Sequence, residues 1–210
     1  MVKMLRVPVT PLTPVHVLRE VSHVVRNGGV IVYPTDTVYG LGCDPFNVNA
    51  VERIYRIKIR SNKPLPILAS SLDDVEKIAT LDQHALKIAK KFWPGPLTLI
   101  LPQKRVLPDI ITLGLSSVGV RIPGNTLTLQ IIRASGGLLV GTSANITGEK
   151  PAFHGVEALK SMGGMVDLII DQGPIGCNMP STVVDLTTSP PKLLREGPIS
   201  FSSIMEVYGN

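Results

Sequence analysis

Helical and strand patterns alternate along this chain, and the alternation constrains the fold more than any other feature. A helix is predicted to begin at Thr13-Pro14, because a capping hydroxyl precedes a proline and valines recur at helical spacing over 17–25. Gly28-Gly29 ends that pattern, and Val30–Tyr33 is a short, apolar, β-branched run typical of a buried strand. No linker or internal repeat interrupts the series. The alternation predicts a single α/β domain over residues 1–210, built on one mixed sheet.

Further elements follow from the same two patterns. Helices are predicted after the caps Ser71 and Asp82, at 126–134, at about 156–162 and after Ser200, and strands at 67–69, 97–101, 118–122, 138–141, 168–171, 183–186 and 193–195. Another helix is predicted from a capping box at Asn49 and Glu52. Beyond it, apolar and cationic residues alternate over 57–60, which predicts extended backbone with Lys58 and Arg60 on one face.

Composition excludes several classes of protein. No apolar run approaches the roughly 18 residues that span a bilayer, and the N-terminus has no signal-peptide core, so we expect a cytoplasmic protein without membrane association. The net charge of +5 suits an anionic ligand such as a nucleotide. Dense Lys/Arg runs typical of a dedicated nucleic-acid binder are missing.

Cysteine and histidine spacing does not predict a metal site. Cys43 and Cys177 are the only cysteines, are far apart, and are expected to be free thiols. The four histidines occupy separate segments, whereas a zinc site needs clustered ligands.

Three short hydroxyl-rich segments adjoin predicted strands: 35–37, 143–145 and Ser181-Thr182. Open α/β sheets place their ligands at strand ends of this kind. Hydroxyls, amides and backbone N–H groups hold carboxylate or phosphate oxygens without adding charge. Each segment alone is compatible with ordinary turn chemistry, but the three together favour a binding site.

A cationic cluster supplies candidate phosphate contacts: Arg53, Arg56, Lys58, Arg60 and Lys63. Arginine offers a planar fork for phosphate, and lysine adds a compact charge. For the first two, a solvated helix face is favoured. The alternation around Lys58 and Arg60 favours function, with both stabilising charge on a departing pyrophosphate.

Two arginines lie in or beside predicted strands. Arg121 interrupts the apolar strand 118–122, where an unpaired buried charge is costly, so it is expected either to bind a substrate carboxylate or to form a structural ion pair. Arg195 leaves the same two alternatives open, with Glu196 adjacent. The sequence has no phosphate loop, no complete dinucleotide fingerprint and no nucleophile elbow.

Taken together, these segments resemble the YrdC-type threonylcarbamoyl-AMP synthases. The resemblance is carried, in the family's order and over nearly the whole chain, by Tyr33–Gly42, Lys58-x-Arg60, Lys63–Leu65, Trp93–Thr98, Val120–Pro123, Thr142–Asn145, Ser181–Val183 and Leu194-Arg195-x-Gly197.

The resemblance implies a reaction and a fold. L-threonine, bicarbonate and ATP would give threonylcarbamoyl-AMP and pyrophosphate, a nucleotidyltransferase reaction that supplies tRNA N6-threonylcarbamoyladenosine. Separate threonylcarbamoyl-transferase proteins would complete the modification, and Mg²⁺ would accompany ATP. The fold would be a YrdC-like twisted mixed β-sheet with flanking helices around a concave basic cavity, in the single-domain form without the additional C-terminal domain of longer relatives.

The resemblance also implies residue roles. Threonine and its carbamate would be held by Thr35, Arg121, Thr142 and Ser181, with Arg121 on the carboxylate. ATP would be surrounded by Lys58, Arg60, Ser117, Ser143, Asn145 and Arg195. The catalytic pair would be Lys58 and Arg60, close to the phosphates.

Two alternatives stay open beside this synthase. One is an RNA-binding protein that uses the basic cavity for tRNA or double-stranded RNA, although aromatic residues, the usual stacking platforms for single strands, make up only 4% of the chain. The other is a carbamoyl-adenylate module related to hydrogenase maturation. Magnesium ligands, the general base and the role of Lys63 are not assigned by the sequence.

Overall fold

Eleven strands and eight helices alternate in the computed structural model, which describes residues 2–10, 12–59, 63–175 and 179–209. The helices are α1 (Val15–Arg26), α2 (Val48–Lys58), α3 (Leu72–Ile78), α4 (Gln83–Phe92), α5 (Asp109–Thr112), α6 (Thr126–Ala134), α7 (Gly155–Met162) and α8 (Phe201–Gly209). The strands are β1 (Lys3–Arg6), β2 (Ile31–Tyr33), β3 (Gly40–Gly42), β4 (Ile67–Ala69), β5 (Leu97–Pro102), β6 (Ser117–Arg121), β7 (Leu138–Val140), β8 (Thr142–Ser143), β9 (Leu168–Asp171), β10 (Thr182–Asp185) and β11 (Lys192–Arg195).

The strands divide between two mixed sheets. A five-stranded sheet has the order β1-β9-β2-β3-β8, and a six-stranded sheet has the order β11-β10-β5-β6-β4-β7. In the second sheet β10 runs parallel to β5, whereas β5 and β6 are antiparallel, with Leu99 opposite Val120. The chain passes directly from one sheet to the other at Gly141, between β7 and β8. Segments from both sheets can therefore meet around one hollow.

The side chains of β5 point alternately into the apolar core and into a cavity on the other face of the sheet. Leu97, Leu99 and Leu101 are almost completely buried, in a cluster of apolar residues that includes members of both sheets. Side chains at i and i+2 share one face of a strand, so Thr98 and Ile100 point the opposite way, where they line a cavity. A second apolar cluster joins α1 and α6 to β2, β7 and β9.

Most of the predicted elements are confirmed, several of them with their caps. The Ser71 hydroxyl accepts a hydrogen bond from the Asp74 N–H, and the Asp82 carboxylate accepts one from the Ala85 N–H. The helix predicted at 126–134 has those bounds. The mixed α/β class is confirmed, although the strands form two sheets instead of one. That the whole chain is one domain stays a prediction.

The prediction of extended backbone over 57–60 is wrong for the residues that the structure describes. Lys58 is the last residue of α2, whose cap is Asn47 and not Asn49. In an extended segment Ile57 and Ile59 would share a face, but Ile57 is buried and Ile59 is 77% exposed. Helical packing of the apolar face of α2 outweighs the short alternation. Arg60 lies outside the described residues.

Four elements were not predicted: β1, β3, β8 and α5. The β3 segment reads as a glycine-rich loop, but neighbouring strands on both sides complete its hydrogen bonding. Across the described ranges, no helix has the length and apolar character needed to cross a membrane.

Candidate functional site

A cavity of ≈ 400 Å³ lies between the two sheets. Its floor is one face of the six-stranded sheet, and the other walls come from the loop after β2, the 64–66 segment and β8. The polar residues that line it are Tyr33, Thr35, Thr37, Thr98, Arg121, Thr142, Ser143, Asn145, Ser181 and Arg195. Gly119 lies between Ser117 and Arg121 on the floor, where a Cβ atom would approach Ile100 Cδ1 to 3.1 Å. The absent side chain leaves that part of the cavity open.

Arg121 ends β6 at the bottom of the cavity and is almost completely buried. Its Nε donates to the Gly95 carbonyl at 2.9 Å, and a terminal nitrogen donates to Thr37 Oγ1 at 3.0 Å. The other terminal nitrogen pairs with Asp36 Oδ1 at 2.5 Å. A structural ion pair is therefore present, and the same side chain faces the cavity. The structural ion pair is thus confirmed for Arg121, and binding of a substrate carboxylate stays a prediction.

The loop after β2 is held by its own hydroxyls. Thr35 Oγ1 donates to the Val38 carbonyl at 2.7 Å and accepts the Thr37 N–H at 3.0 Å. The Thr35 and Thr37 hydroxyls are 3.0 Å apart. Because these contacts fix the turn, the loop presents its oxygens to the cavity in one arrangement.

Arg195 reaches the cavity from β11 across the end of β10. Its Nε donates to the Ser181 carbonyl at 2.9 Å, and a terminal nitrogen donates to Ser181 Oγ at 3.0 Å. Ser181 Oγ also lies 2.8 Å from Thr98 Oγ1. No carboxylate pairs with Arg195 in the described part of the chain, so Glu196 does not neutralise it there.

Two guanidinium groups thus share the cavity. Burial lowers the pKa of Arg195, and the positive charge of Arg121 lowers it further. An arginine stays protonated despite such a shift, so the site holds positive charge that the protein itself balances only in part. An anion placed between the two guanidinium groups would relieve that repulsion.

Lys58 lies behind the 143–145 segment of the cavity wall and supports it. Its ammonium lies 2.8 Å from the Ser143 carbonyl, 2.7 Å from the Asn145 carbonyl and 2.9 Å from Asn145 Oδ1. The side chain is buried and is not among the residues that line the cavity. It therefore holds the 143–145 segment in place, and its predicted contact with ATP phosphates stays a prediction.

The predicted site residues fall into four groups. Seven line the cavity: Thr35, Arg121, Thr142, Ser143, Asn145, Ser181 and Arg195. Ser117 lies two residues from Gly119 on the same face of β6, next to the cavity but not among its lining residues. Lys58 lies behind the wall, and Arg60 lies outside the described residues. The binding and catalytic roles assigned to all of them stay predictions.

The sequence reasoning did not assign Asp36, Thr37 or Thr98 to the site. Thr37 and Asp36 belong to a segment that was singled out, but nothing in the sequence indicates that they meet Arg121. Thr98 is visible only through the alternation of β5. Their role depends on contacts between strands that are far apart in the chain.

The two cysteines and the possible metal ligands can be compared with the structure in turn. Cys43 is a free, buried thiol, and burial raises its pKa. Cys177 lies outside the described residues. In the ranges that the structure describes, no group of three or more His, Cys, Asp or Glu side chains is placed to hold a metal ion.

Comparison with known proteins places the chain in a family. The Sua5_yciO_yrdC family model, described as "Telomere recombination", matches residues 23–197. The threonylcarbamoyl-AMP synthase of Pyrococcus abyssi is 39% identical over 194 residues, which cover 91% of this chain and 57% of that protein. The chain therefore spans little more than half the length of this relative.

Two solved structures give the same result. Sua5 from P. abyssi, in complex with L-threonine, matches with a TM-score of 0.91 and 36% identity, covering 100% of this chain and 61% of that one. YciO from Escherichia coli matches with a TM-score of 0.85 and 29% identity, covering 95% of this chain and 97% of that one. By sequence and by fold, the chain belongs to the Sua5/YciO/YrdC family.

Proposed function

We propose that the protein is an L-threonylcarbamoyladenylate synthase. It converts L-threonine, bicarbonate and ATP into threonylcarbamoyl-AMP, pyrophosphate and water, which makes it a nucleotidyltransferase in tRNA N6-threonylcarbamoyladenosine synthesis. The observation that carries the proposal is the pair Arg121 and Arg195 in one cavity, surrounded by hydroxyls from segments far apart in the chain. The names of the relatives and the threonine-bound neighbour support the same activity.

The cavity has groups suited to each substrate. The Arg121 fork would take the threonine carboxylate, next to the Thr35 and Thr142 hydroxyls. Ser143, Asn145 and Arg195 would surround ATP, with Ser117 further along the same face as Arg121. A volume of ≈ 400 Å³ is within the range of pockets that hold ligands of drug size.

Catalysis would come from proximity and charge neutralisation. The threonine amine condenses with bicarbonate, with loss of water, to a carbamate. Held beside ATP, a carbamate oxygen then attacks the α-phosphorus while the bond to pyrophosphate breaks. The cationic groups stabilise the negative charge that accumulates on the leaving pyrophosphate. Mg²⁺ enters the proposal only as part of the ATP substrate.

The direct test is pyrophosphate release with ATP, magnesium and bicarbonate, with and without L-threonine. Release that requires threonine is expected. Release that requires carbamoyl phosphate instead would favour the carbamoyl-adenylate module, and tight RNA binding without turnover would favour an RNA-binding protein. Transfer of the product to tRNA by separate threonylcarbamoyl-transferase proteins, in the cytoplasm, is part of the proposal and needs those partners in the assay.

Site variants test the assignment of residues. Arg121→Ala is expected to abolish threonine-dependent release, because the carboxylate loses a bidentate partner. Lys58→Ala and Arg60→Ala are expected to raise the ATP requirement or abolish release. Near-normal kinetics in all three variants would refute the assignment while leaving the reaction itself to the wild-type assay.

A further inference from the structure

Tyr39 is a buried tyrosine that lies between two cavity-lining residues but does not itself line the cavity. Val38 and Gly40 face the cavity on either side of it. The phenol instead points toward the end of β9, where its oxygen lies 3.1 Å from Asp171 Oδ1 and 2.7 Å from the Gly173 carbonyl. The Gln172 N–H donates to the same oxygen at 3.1 Å. The proposed reaction uses none of these groups.

Asp171 collects hydrogen bonds from two further segments. Its Oδ1 accepts the Gly155 N–H at 3.2 Å, at the first residue of α7, and the Gly173 N–H at 3.0 Å. His154 Nδ1 is 3.8 Å away. The carboxylate is 5% exposed, so its hydrogen bonds are not exchanged freely with water. One oxygen atom therefore joins α7, the turn after β9 and Tyr39.

The Tyr39 backbone extends the same network to the cavity wall. Its N–H donates to the Ala152 carbonyl at 2.9 Å, and its carbonyl accepts the Ala144 N–H at 2.7 Å. Ala144 lies between Ser143 and Asn145, two residues that we assign to ATP, and Ala152 follows the cavity-lining Pro151. The Ile175 N–H donates to the Phe153 carbonyl at 3.1 Å, which ties the turn after β9 to the same wall.

We propose that Tyr39 and Asp171 are positioning residues that hold the segment 151–153, and with it the cavity-lining Pro151, against the nucleotide side of the cavity. The inference rests on the proposed function for the identity of the ligand, and on the hydrogen bonds above for the placement of the wall. Neither side chain touches the reacting atoms. Because the network reaches Ala144, between two residues assigned to ATP, and its hydrogen bonds do not involve Arg121, ATP binding should depend on it more than threonine binding does.

The phenol is suited to this role because it stays protonated. Burial raises the pKa of Tyr39, with hydrogen bonds from backbone N–H groups opposing the shift, so the hydroxyl remains a donor throughout the neutral range. Gly155 is required on the other side, since a Cβ atom there would lie 2.5 Å from Asp171 Cγ. A side chain at that position would displace the carboxylate without altering Tyr39.

Two variants disrupt the hydrogen bonds between Tyr39 and Asp171. Tyr39→Phe removes the hydroxyl group, and Gly155→Ala displaces the Asp171 carboxylate. Losing a hydrogen bond of ordinary strength corresponds to roughly a three- to tenfold loss of affinity. We therefore expect the KM for ATP in pyrophosphate release to rise by about three- to tenfold, with kcat and the KM for threonine changed by less than about twofold. Calorimetric titration with ATP alone should show the same loss.

Val21→Ala is the control, because Val21 is fully buried in α1 and does not line the cavity. It should lower the melting temperature without changing the KM for ATP, which separates positioning from general loss of stability. Hydrogen exchange should accelerate over 151–155 and 172–175 in Tyr39→Phe but not in the control. An unchanged KM for ATP in both network variants, or unchanged exchange in these two segments, would overturn the inference.

The exchange measurement also separates this inference from the proposed function. If the wild-type protein releases no pyrophosphate and binds no ATP, the proposed function fails and so does the nucleotide part of this inference. Faster exchange in Tyr39→Phe would then still support the placement of the wall by Tyr39 and Asp171, and unchanged exchange would reject it.

Discussion

Replacing Lys58 by methionine tests whether this buried ammonium supports the wall of the cavity. Methionine keeps an unbranched side chain of similar length and removes the charge and the three donor hydrogens. In the wild type the ammonium lies 2.7 Å from the Asn145 carbonyl and 2.8 Å from the Ser143 carbonyl. The side chain is 3% exposed, so water does not readily replace these donors.

The expected loss of stability in Lys58→Met depends on which of the oxygens bonded to Lys58 still accept a hydrogen bond from another donor. The Ser143 carbonyl also accepts the Asn145 N–H at 3.0 Å, and Asn145 Oδ1 also accepts the Ser143 hydroxyl. The Asn145 carbonyl depends most on Lys58. A buried acceptor left without a donor costs about 1–3 kcal/mol, and a hydrogen bond from a charged donor contributes about 1.5–3 kcal/mol. Removing the dehydrated ammonium offsets part of this, and we expect a net destabilisation of about 2–4 kcal/mol.

Urea unfolding followed by circular dichroism measures this loss as a change in midpoint at constant slope. For a chain of this size, 3 kcal/mol corresponds to a fall in Tm of about 6–12 °C. The matched control is Lys77→Met, which breaks an ion pair to Asp74 in which the lysine side chain is 63% exposed. Exposed pairs contribute about 0–1 kcal/mol, so the control should stay close to the wild type.

A free energy of unfolding for Lys58→Met within about 0.5 kcal/mol of the wild type would refute the reasoning, because the Asn145 carbonyl left without a donor is expected to cost more than that. Activity alone would not decide the point, since both an ATP contact and a displaced wall would reduce it.

Two further changes test the packing and the electrostatics. Gly42→Ala should destabilise the protein by about 3 kcal/mol or more in urea unfolding, because the new Cβ would lie 2.2 Å from the Val140 carbonyl oxygen; a wild-type midpoint would contradict that close approach. Burial alone would raise the pKa of Asp74, but hydrogen bonds from Lys77 and Ser70 outweigh it and hold that pKa below its ordinary value. A carboxylate with a depressed folded-state pKa stabilises above its unfolded value and loses that contribution as the pH falls through the folded one. The stability difference between the wild type and Asp74→Asn should therefore shrink as the pH falls through and below the ordinary carboxyl pKa, and a pH-independent difference would count against this ion pair.

Local patterns determined which segments are helices and strands. The caps Ser71 and Asp82 and the bounds of α6 follow from interactions within a few residues, so the sequence predicts them directly. Patterns failed where distant partners decide the structure. Gly40–Gly42 is a strand only because β2 and β8 pair with it, and no local feature of a glycine-rich segment indicates such partners.

The candidate site divides in the same way. Motifs in a fixed order along the chain predicted the family and the residue types in the site. The family match confirms the predicted family. The division into two sheets, the Arg121–Asp36 pair and the Lys58 contacts depend on segments separated by many residues.

The sequence by itself determined most of the local elements, the family and the kinds of anion-binding side chain, because these depend on residue type and short-range order. Only the tertiary structure decided that seven of those side chains surround one cavity, that Lys58 lies behind its wall, and that Tyr39 meets Asp171. The physical reason is that packing two sheets against a shared core sets the distances between segments far apart in the chain, and no short-range pattern encodes those distances.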